Sequence, residues 1–216
     1  MFIGHFGLGL ATKRAAPRLS LAVLFAAAQF ADMLWPVLVL AKLEEVRIRY
    51  GITRFTPLEF VSYPYSHSLV LLAVWGLVFG WFVRRRDPRA LVVVTALVVS
   101  HWVLDFITHR PDMPLYPGSA KFGLGLWNSI GGTVAVELPI FLVGVWLYFR
   151  TTRPRDRAGI AGISILLALL LAIYAANVIS QTPPPSETAV AIVGVIGACL
   201  FTAWAGWADR HREVHP

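Results

Sequence analysis

The chain alternates between long apolar runs and short polar breaks. Six runs approach the roughly 20 residues that a helix needs to cross a bilayer: 19–41, 67–83, 90–108, 131–149, 158–180 and 188–207. Arg84-Arg85-Arg86-Asp87-Pro88-Arg89 parts the second run from the third. Arg150-Thr151-Thr152-Arg153-Pro154-Arg155-Asp156-Arg157 parts the fourth from the fifth, and Gln181-Thr182-Pro183-Pro184-Pro185-Ser186 turns the fifth into the sixth. The pattern predicts an all-α polytopic bundle of about six transmembrane helices in one integral membrane domain, 1–216. Residues 2–11 are apolar but too short to cross, and their basic residues follow the run, the reverse of a cleavable signal. They predict a half-helix tucked into the bundle.

Composition narrows the class. The 216 residues are 57% hydrophobic and 14% charged, with mean hydropathy +0.66, whereas a soluble domain carries about 25% charged residues. One cysteine, Cys199, rules out a disulfide scaffold. The net charge of +7 could point to nucleic acid, but most arginines cluster between apolar runs, as in cytoplasmic loops. No nucleic-acid partner is expected. With six spans, the two arginine breaks, Lys13/Arg14/Arg18 and Arg210/Arg212 all fall on one side. The positive-inside rule makes that side cytoplasmic, with both chain termini there.

Ionisable groups inside lipid are costly, so they pair, face a cavity or carry chemistry. The runs hold Asp32, His67, His101, Asp105 and Glu137, and the last two runs hold none. The expected division is therefore a metal-site half, 1–149, and two scaffold helices, 150–216. Counted from the nearest basic residue at 1.5 Å per residue, the five groups share a layer about 18–26 Å above the basic side, in the outer half of the bilayer. His5 sits shallower, and joins the layer only if its half-helix rides higher or tilts. His101 and Asp105 are i and i+4, and His109 continues that face one turn on. Three carboxylates together would repel or take up protons unless a cation compensated them. Imidazole with carboxylate suits zinc, with iron or manganese as alternatives, and the number of candidates allows one ion or two.

Each residue also has a plainer explanation. The His101/Asp105 pair can be an intramembrane hydrogen bond, and His109, beside Arg110-Pro111, can be solvated at the membrane edge. Glu137, two residues before Pro139, can bond to backbone that the proline frees. His211 and His215 lie in a charged tail and are expected to have no role.

Four segments together resemble a known family: Gly4-His5-Phe6-Gly7-Leu8-Gly9-Leu10-Ala11 with Lys13-Arg14; Ala31-Asp32-Met33-Leu34-Trp35-Pro36; Ser66-His67-Ser68-Leu69; and His101-Trp102-Val103-Leu104-Asp105-Phe106-Ile107-Thr108-His109. In this order, over about residues 1–145, they look like the bacterial inner-membrane metal-dependent hydrolase family, which is remotely similar to zinc-dependent phospholipase C. The resemblance implies His5, Asp32, His67, His101 and Asp105 as metal ligands. Further His and Glu ligands of the phospholipase class have only His109 and Glu137 as counterparts here.

The expected function is a membrane-embedded, metal-dependent hydrolase of a phosphoester in a lipid or other amphipathic substrate, using metal-activated water. Asp32 or Glu137 would orient or deprotonate the water, and His109 joins them as a candidate catalytic group. Segment 109–130 would be the substrate loop, with Arg110 and Lys121 for a phosphate and Asn128 as a further contact; it can equally be a plain connector. Segment 43–66, with Tyr63-Pro64-Tyr65, would be a lid or an aromatic anchor. The chain has no Walker A, G-x-S-x-G or H-E-x-x-H pattern. The alternatives are a proton- or ion-coupled transporter using the layer as a relay, a haem protein with His67 and His101 as axial ligands, and a scaffold whose polar layer only joins helices.

Overall fold

The computed structural model describes residues 1–85, 87, 89–180 and 182–215. Arg86 and Pro88 of the first arginine break, and Gln181 of the turn before the last run, lie outside the described residues. The polytopic helical bundle expected from the pattern is what the structure shows. The described residues form eight α-helices: α1 Ile3–Thr12, α2 Leu21–Ala28, α3 Phe30–Leu40, α4 Leu69–Val83, α5 Ala90–Thr108, α6 Ile130–Thr151, α7 Arg157–Ile179 and α8 Glu187–Arg210.

Four of them, α5 to α8, are long and apolar enough to cross a membrane. The run predicted as span one is broken, because α2 and α3 meet at Gln29 with a bend of 59° and qualify only as a pair. Neither proline nor glycine sits at the break, and the Gln29 backbone (φ −101°, ψ 12°) leaves the helical region by itself. The run predicted as span two is the 15-residue α4, about 22 Å long and short for a crossing. The predicted half-helix is α1, whose Ile3, His5, Phe6 and Leu10 are buried in the bundle.

Local chemistry sets several helix starts. Ser20, Ser129, Asp156 and Ser186 each accept a hydrogen bond from the N–H three residues on, satisfying donors that a helix start leaves free. Glycine lets α1 lie against α6: a Cβ on Gly7 would fall 2.7 Å from Phe141 Cα, and one on Gly144 only 2.0 Å from the Gly7 carbonyl oxygen. The α4/α5 hairpin and the packing of α8 on α2 and α3 complete the bundle. Large apolar side chains such as Phe82, Val92, Trp146, Ile160 and Val193 point outward, while His5, His67, His101, Asp105 and Glu137 are buried. A hydrocarbon surround favours this inversion.

Short strands finish the two ends. At one end, β1 (Glu45–Ile48) pairs antiparallel with β2 (Leu58–Ser62), matching Arg47 with Glu59 and Ile48 with Leu58. The same end carries β3 (Met113–Pro114), paired with β4 (Lys121–Phe122), and a 3-10 turn at Leu126–Asn128. At the opposite end, where the basic residues collect, β5 (Thr152–Pro154) pairs with β6 (Arg212–Val214). That end also holds a buried charge cluster. Lys13 Nζ donates to Asp209 Oδ2 at 2.7 Å and to the Leu19 carbonyl at 2.8 Å. Tyr148 donates to Asp209 Oδ1 at 2.9 Å, and the Leu21 N–H reaches Oδ2 at 3.0 Å. Arg212 donates to the Thr152 and Gly159 carbonyls and to Thr152 Oγ1.

Candidate metal centre

The site begins with the bend. The break between α2 and α3 presents the Ala28 carbonyl to His101 Nδ1 at 2.8 Å and places Asp32 in the first turn of α3, where the helix dipole favours a carboxylate. On α5, His101 and Asp105 share one face, as their spacing predicts, with Nε2 to Oδ2 at 3.2 Å. His67 lies just ahead of α4, and His5 enters from α1 with its ring stacked on His101 at 3.7 Å between centroids. Two groups result: His5, His101 and Asp105, and Asp32, His67 and His101. In each, the candidate ligand atoms all lie within 4.8 Å of one another. His101 belongs to both. These buried His/Asp groups are positioned to hold a metal ion.

Hydrogen bonding assigns the imidazole tautomers. A carbonyl can only accept, so His101 Nδ1 carries the proton, and its buried Nε2 has no hydrogen-bond partner among the described residues. Ser66 donates to Glu44 Oε2 at 2.6 Å and lies 2.7 Å from His67 Nδ1, so it accepts from that nitrogen. His109 Nδ1 donates to Asp112 Oδ1 at 3.0 Å. All three histidines therefore turn Nε2 toward carboxylate. From Asp105 Oδ2, His67 Nε2 is 3.8 Å away and His109 Nε2 is 3.6 Å away. From Asp32 Oδ1, the Nε2 atoms of His67 and His101 lie at 3.6 and 3.7 Å. These separations are long for hydrogen bonds but near the roughly 3.3 Å edge of a tetrahedral zinc site. A lone pair facing a carboxylate is repulsive, and a shared cation converts both into ligands. The donor set fits a divalent ion.

The supporting residues were only partly visible in the sequence. Glu44 is buried and holds Ser66 by its N–H and hydroxyl, as well as the Tyr65 N–H. Tyr63 donates to Asp112 Oδ1 at 2.6 Å. Burial, with the Asp112 carboxylate beside it, pushes the Tyr63 hydroxyl well above its ordinary pKa, so it remains a donor. Such partners fix the tautomer and aim of a ligand. Glu44 and Asp112 come from connecting segments, where polar residues are ordinary and carry no signal in a sequence, while Tyr63, expected in a lid or an aromatic anchor, is a buried partner of Asp112.

The other candidates divide. His109 is buried within the cluster, its ring 4.1 Å from that of Trp127. Glu137 is buried on α6, but its Oε2 accepts from the Phe2 N–H at 2.8 Å and the Gly4 N–H at 3.4 Å, capping the start of α1. The Met1 amino group donates to Asp105 Oδ1, and His5 Nε2 lies 3.0 Å from the same oxygen. Lys121 donates to the Val61 carbonyl at 2.8 Å, and Arg110 reaches toward Asp112 at 3.7 Å. Asn128 is exposed.

A cavity of about 390 Å³ opens onto the cluster through Asp32, His67, Asp105 and His109. The β1/β2 hairpin roofs it with Phe55, Pro57, Leu58 and Phe60, and Trp127 and Asn177 close its sides. Asp32 is the open carboxylate, its side chain 40% exposed against 2% for Asp105.

No curated protein and no solved structure matches the chain. Comparison with protein families matches residues 1–181 to the family described as YdjM inner membrane protein. The match covers most of the helical bundle and every residue of both His/Asp groups, and the chain belongs to the YdjM inner membrane protein family.

Proposed function

We propose that the protein is a metal-dependent hydrolase embedded in the bacterial inner membrane, acting on a phosphoester in a lipid or amphipathic substrate. One observation carries the reading: three histidines with proton-bearing Nδ1 atoms tied to the protein aim Nε2 lone pairs at Asp32 and Asp105. Zinc suits the donor set, as one ion or two, with the single open lone pair on His101 Nε2 serving one ion. A divalent ion bound there would activate water and polarise a phosphoryl oxygen at neutral pH.

The remaining roles fall to the chain's own groups. Asp32 faces the cavity and is the better placed of the two proposed bases, since Glu137 uses Oε2 on the α1 backbone. Asp112 and Tyr63 hold His109 at the cavity wall with its Nε2 lone pair inward, where it would ligate the ion or accept a proton from water. The hairpin and Trp127 restrict water. The Arg110 guanidinium, 38% exposed at the side chain, together with Lys121 and Asn128, lies outside the cavity and would attract an anionic lipid on its way in. The basic end, with the C-terminus, is assigned to the cytoplasm by the positive-inside rule, which would set the site toward the outer half of the bilayer; the N-terminus, expected on the basic side, lies instead at the site, where the Met1 amino group bonds Asp105.

The test is elemental analysis of the full chain purified in detergent, with hydrolysis of a chromogenic phosphodiester measured on the same samples. Wild type should retain a divalent ion and turn over, and chelation should abolish turnover. His101→Ala should lose both ion and activity while staying folded. A wild type that purifies empty and moves protons or ions in proteoliposomes would replace the hydrolase with the relay.

A further inference from the structure

A second cavity of about 380 Å³ lies between α1, α3, α7 and α8. Its wall is mostly apolar, with Phe6, Ile173, Val193, Gly194, Gly197 and Phe201 contributing, and its polar residues are Gln29, Asp32 and Asn177. It adjoins the metal-site cavity, since Phe2, Asp32, Trp35 and Asn177 line both. One end is thus a carboxylate at the candidate metal centre and the other is a hydrocarbon-like slot. Val193, in the slot wall, is 69% exposed, and Ile196 and Leu200 beside it are 60% and 49% exposed. In a membrane bundle that flank faces lipid.

We propose that this slot seats one hydrocarbon chain of a lipid whose phosphate headgroup lies in the metal-site cavity. Two observations choose the occupant. The volume lies within the range of about 300–1,000 Å³ typical of small-molecule pockets, and the slot lies against a polar chamber with four lining residues in common. Trp35 stands where the two meet, 7% exposed, and its indole Nε1 has no hydrogen-bond partner among the described residues. A buried donor at a polar–apolar junction calls for an acceptor, and the ester oxygens of a lipid occur at that point along the molecule. Glycine at 197 keeps the slot open, for a Cβ there would meet only the Phe201 ring, at 3.6 Å. The inference deepens the hydrolase reading and rests on it for the fate of the headgroup, whereas the seat for the chain stands on the cavity alone.

The experiment maps contacts, not turnover, so the two readings fail separately. The full chain in nanodiscs is irradiated with a lysophospholipid bearing a diazirine at the end of its chain, then digested and sequenced by mass spectrometry. Labels should concentrate on Ile173, Val193 and Phe201, in both metal-loaded and chelated protein. Unlabelled lysophospholipids should compete more strongly with chain length, by up to roughly fourfold per methylene until the slot is full, while glycerophosphodiester without a chain should not compete. Gly197→Leu fills the slot with a better helix former and should cut labelling at least tenfold. Trp35→Phe keeps the ring but removes the donor, and should weaken competition about two- to tenfold. Labels spread evenly over outward residues such as Leu142, Val143 and Trp146 in the wild type would overturn the proposal, whatever the variants do. Competition by the chainless phosphodiester alone would overturn the chain seat and leave a headgroup site.

Discussion

Two buried clusters of charge sit near opposite ends of the bundle, and they are built on opposite rules. At the basic end, Asp209 has three donors on its two oxygens: Lys13 and the Leu21 N–H on one, Tyr148 on the other, with Lys13 also held by the Leu19 carbonyl. The Lys13–Asp209 charges cancel within the protein. Such a cluster fixes geometry and needs nothing more. At the other end, Asp105 takes the Met1 amino group on Oδ1, but its Oδ2 and Asp32 Oδ1 face three Nε2 atoms of rings whose protons sit on Nδ1, and His101 Nε2 is buried without a hydrogen-bond partner among the described residues. Paired and satisfied charge marks structure. Charge that is aimed and left incomplete marks a ligand.

Removing one carboxylate from each cluster should therefore act in opposite directions, and this is the largest expected effect. Asp209→Ala leaves Lys13 buried and unpaired, and should destabilise the protein by about 3–5 kcal/mol with any bound metal unaffected until unfolding. Asp32→Asn in chelated protein should be neutral or slightly stabilising, within about 1 kcal/mol, because it relieves uncompensated charge. Denaturation of both variants with and without chelator decides the matter, and an equal loss of stability in both would erase the distinction between the clusters.

A subtler substitution separates support from ligation. Ser66→Ala removes the acceptor that aims His67 and leaves all ligands in place. It should weaken metal affinity about 10–100-fold with little change in the stability of the metal-free protein. Competition with a metal-sensitive dye reads this directly, and unchanged affinity would return Glu44 and Ser66 to a purely structural role.

The smallest effect lies outside both clusters. Asp156 caps α7, and its Oδ2 lies 2.7 Å from His211 Nδ1. The hydrogen bond from His211 holds its carboxyl below the usual value of 3.8. The contribution is thus fully present above pH 3.8 and is lost as the pH falls through the lower folded value. A melting profile between about pH 6 and pH 2 should lose a small component that Asp156→Asn removes, and identical profiles for the two proteins would show that the contact is inert.

How far the sequence reached depends on the contrast between a residue and its surroundings. Asp32, His101 and Asp105 stood out because ionisable groups in apolar runs are rare, and the i, i+4 spacing of the last two placed them on one face. His5 carried no such contrast near a terminus and entered through the resemblance. Glu44 and Asp112 lie in loops full of polar residues, so their burial came only from the tertiary fold. Arg212 is a similar case, a tail residue by sequence whose guanidinium is buried against Thr152 and Gly159. The bend at Gln29 carried no mark, since helix breaks are read from proline or glycine and this one has neither.

That unmarked bend ties the shape of the first span to the chemistry of the third. Were residues 21–40 to run as one straight rod, the Ala28 carbonyl would take up the backbone bond of a continuous helix and withdraw from His101. The imidazole would then be free to move its proton to Nε2, silencing the donor that both His/Asp groups have in common. A crooked helix is how this protein keeps one nitrogen open.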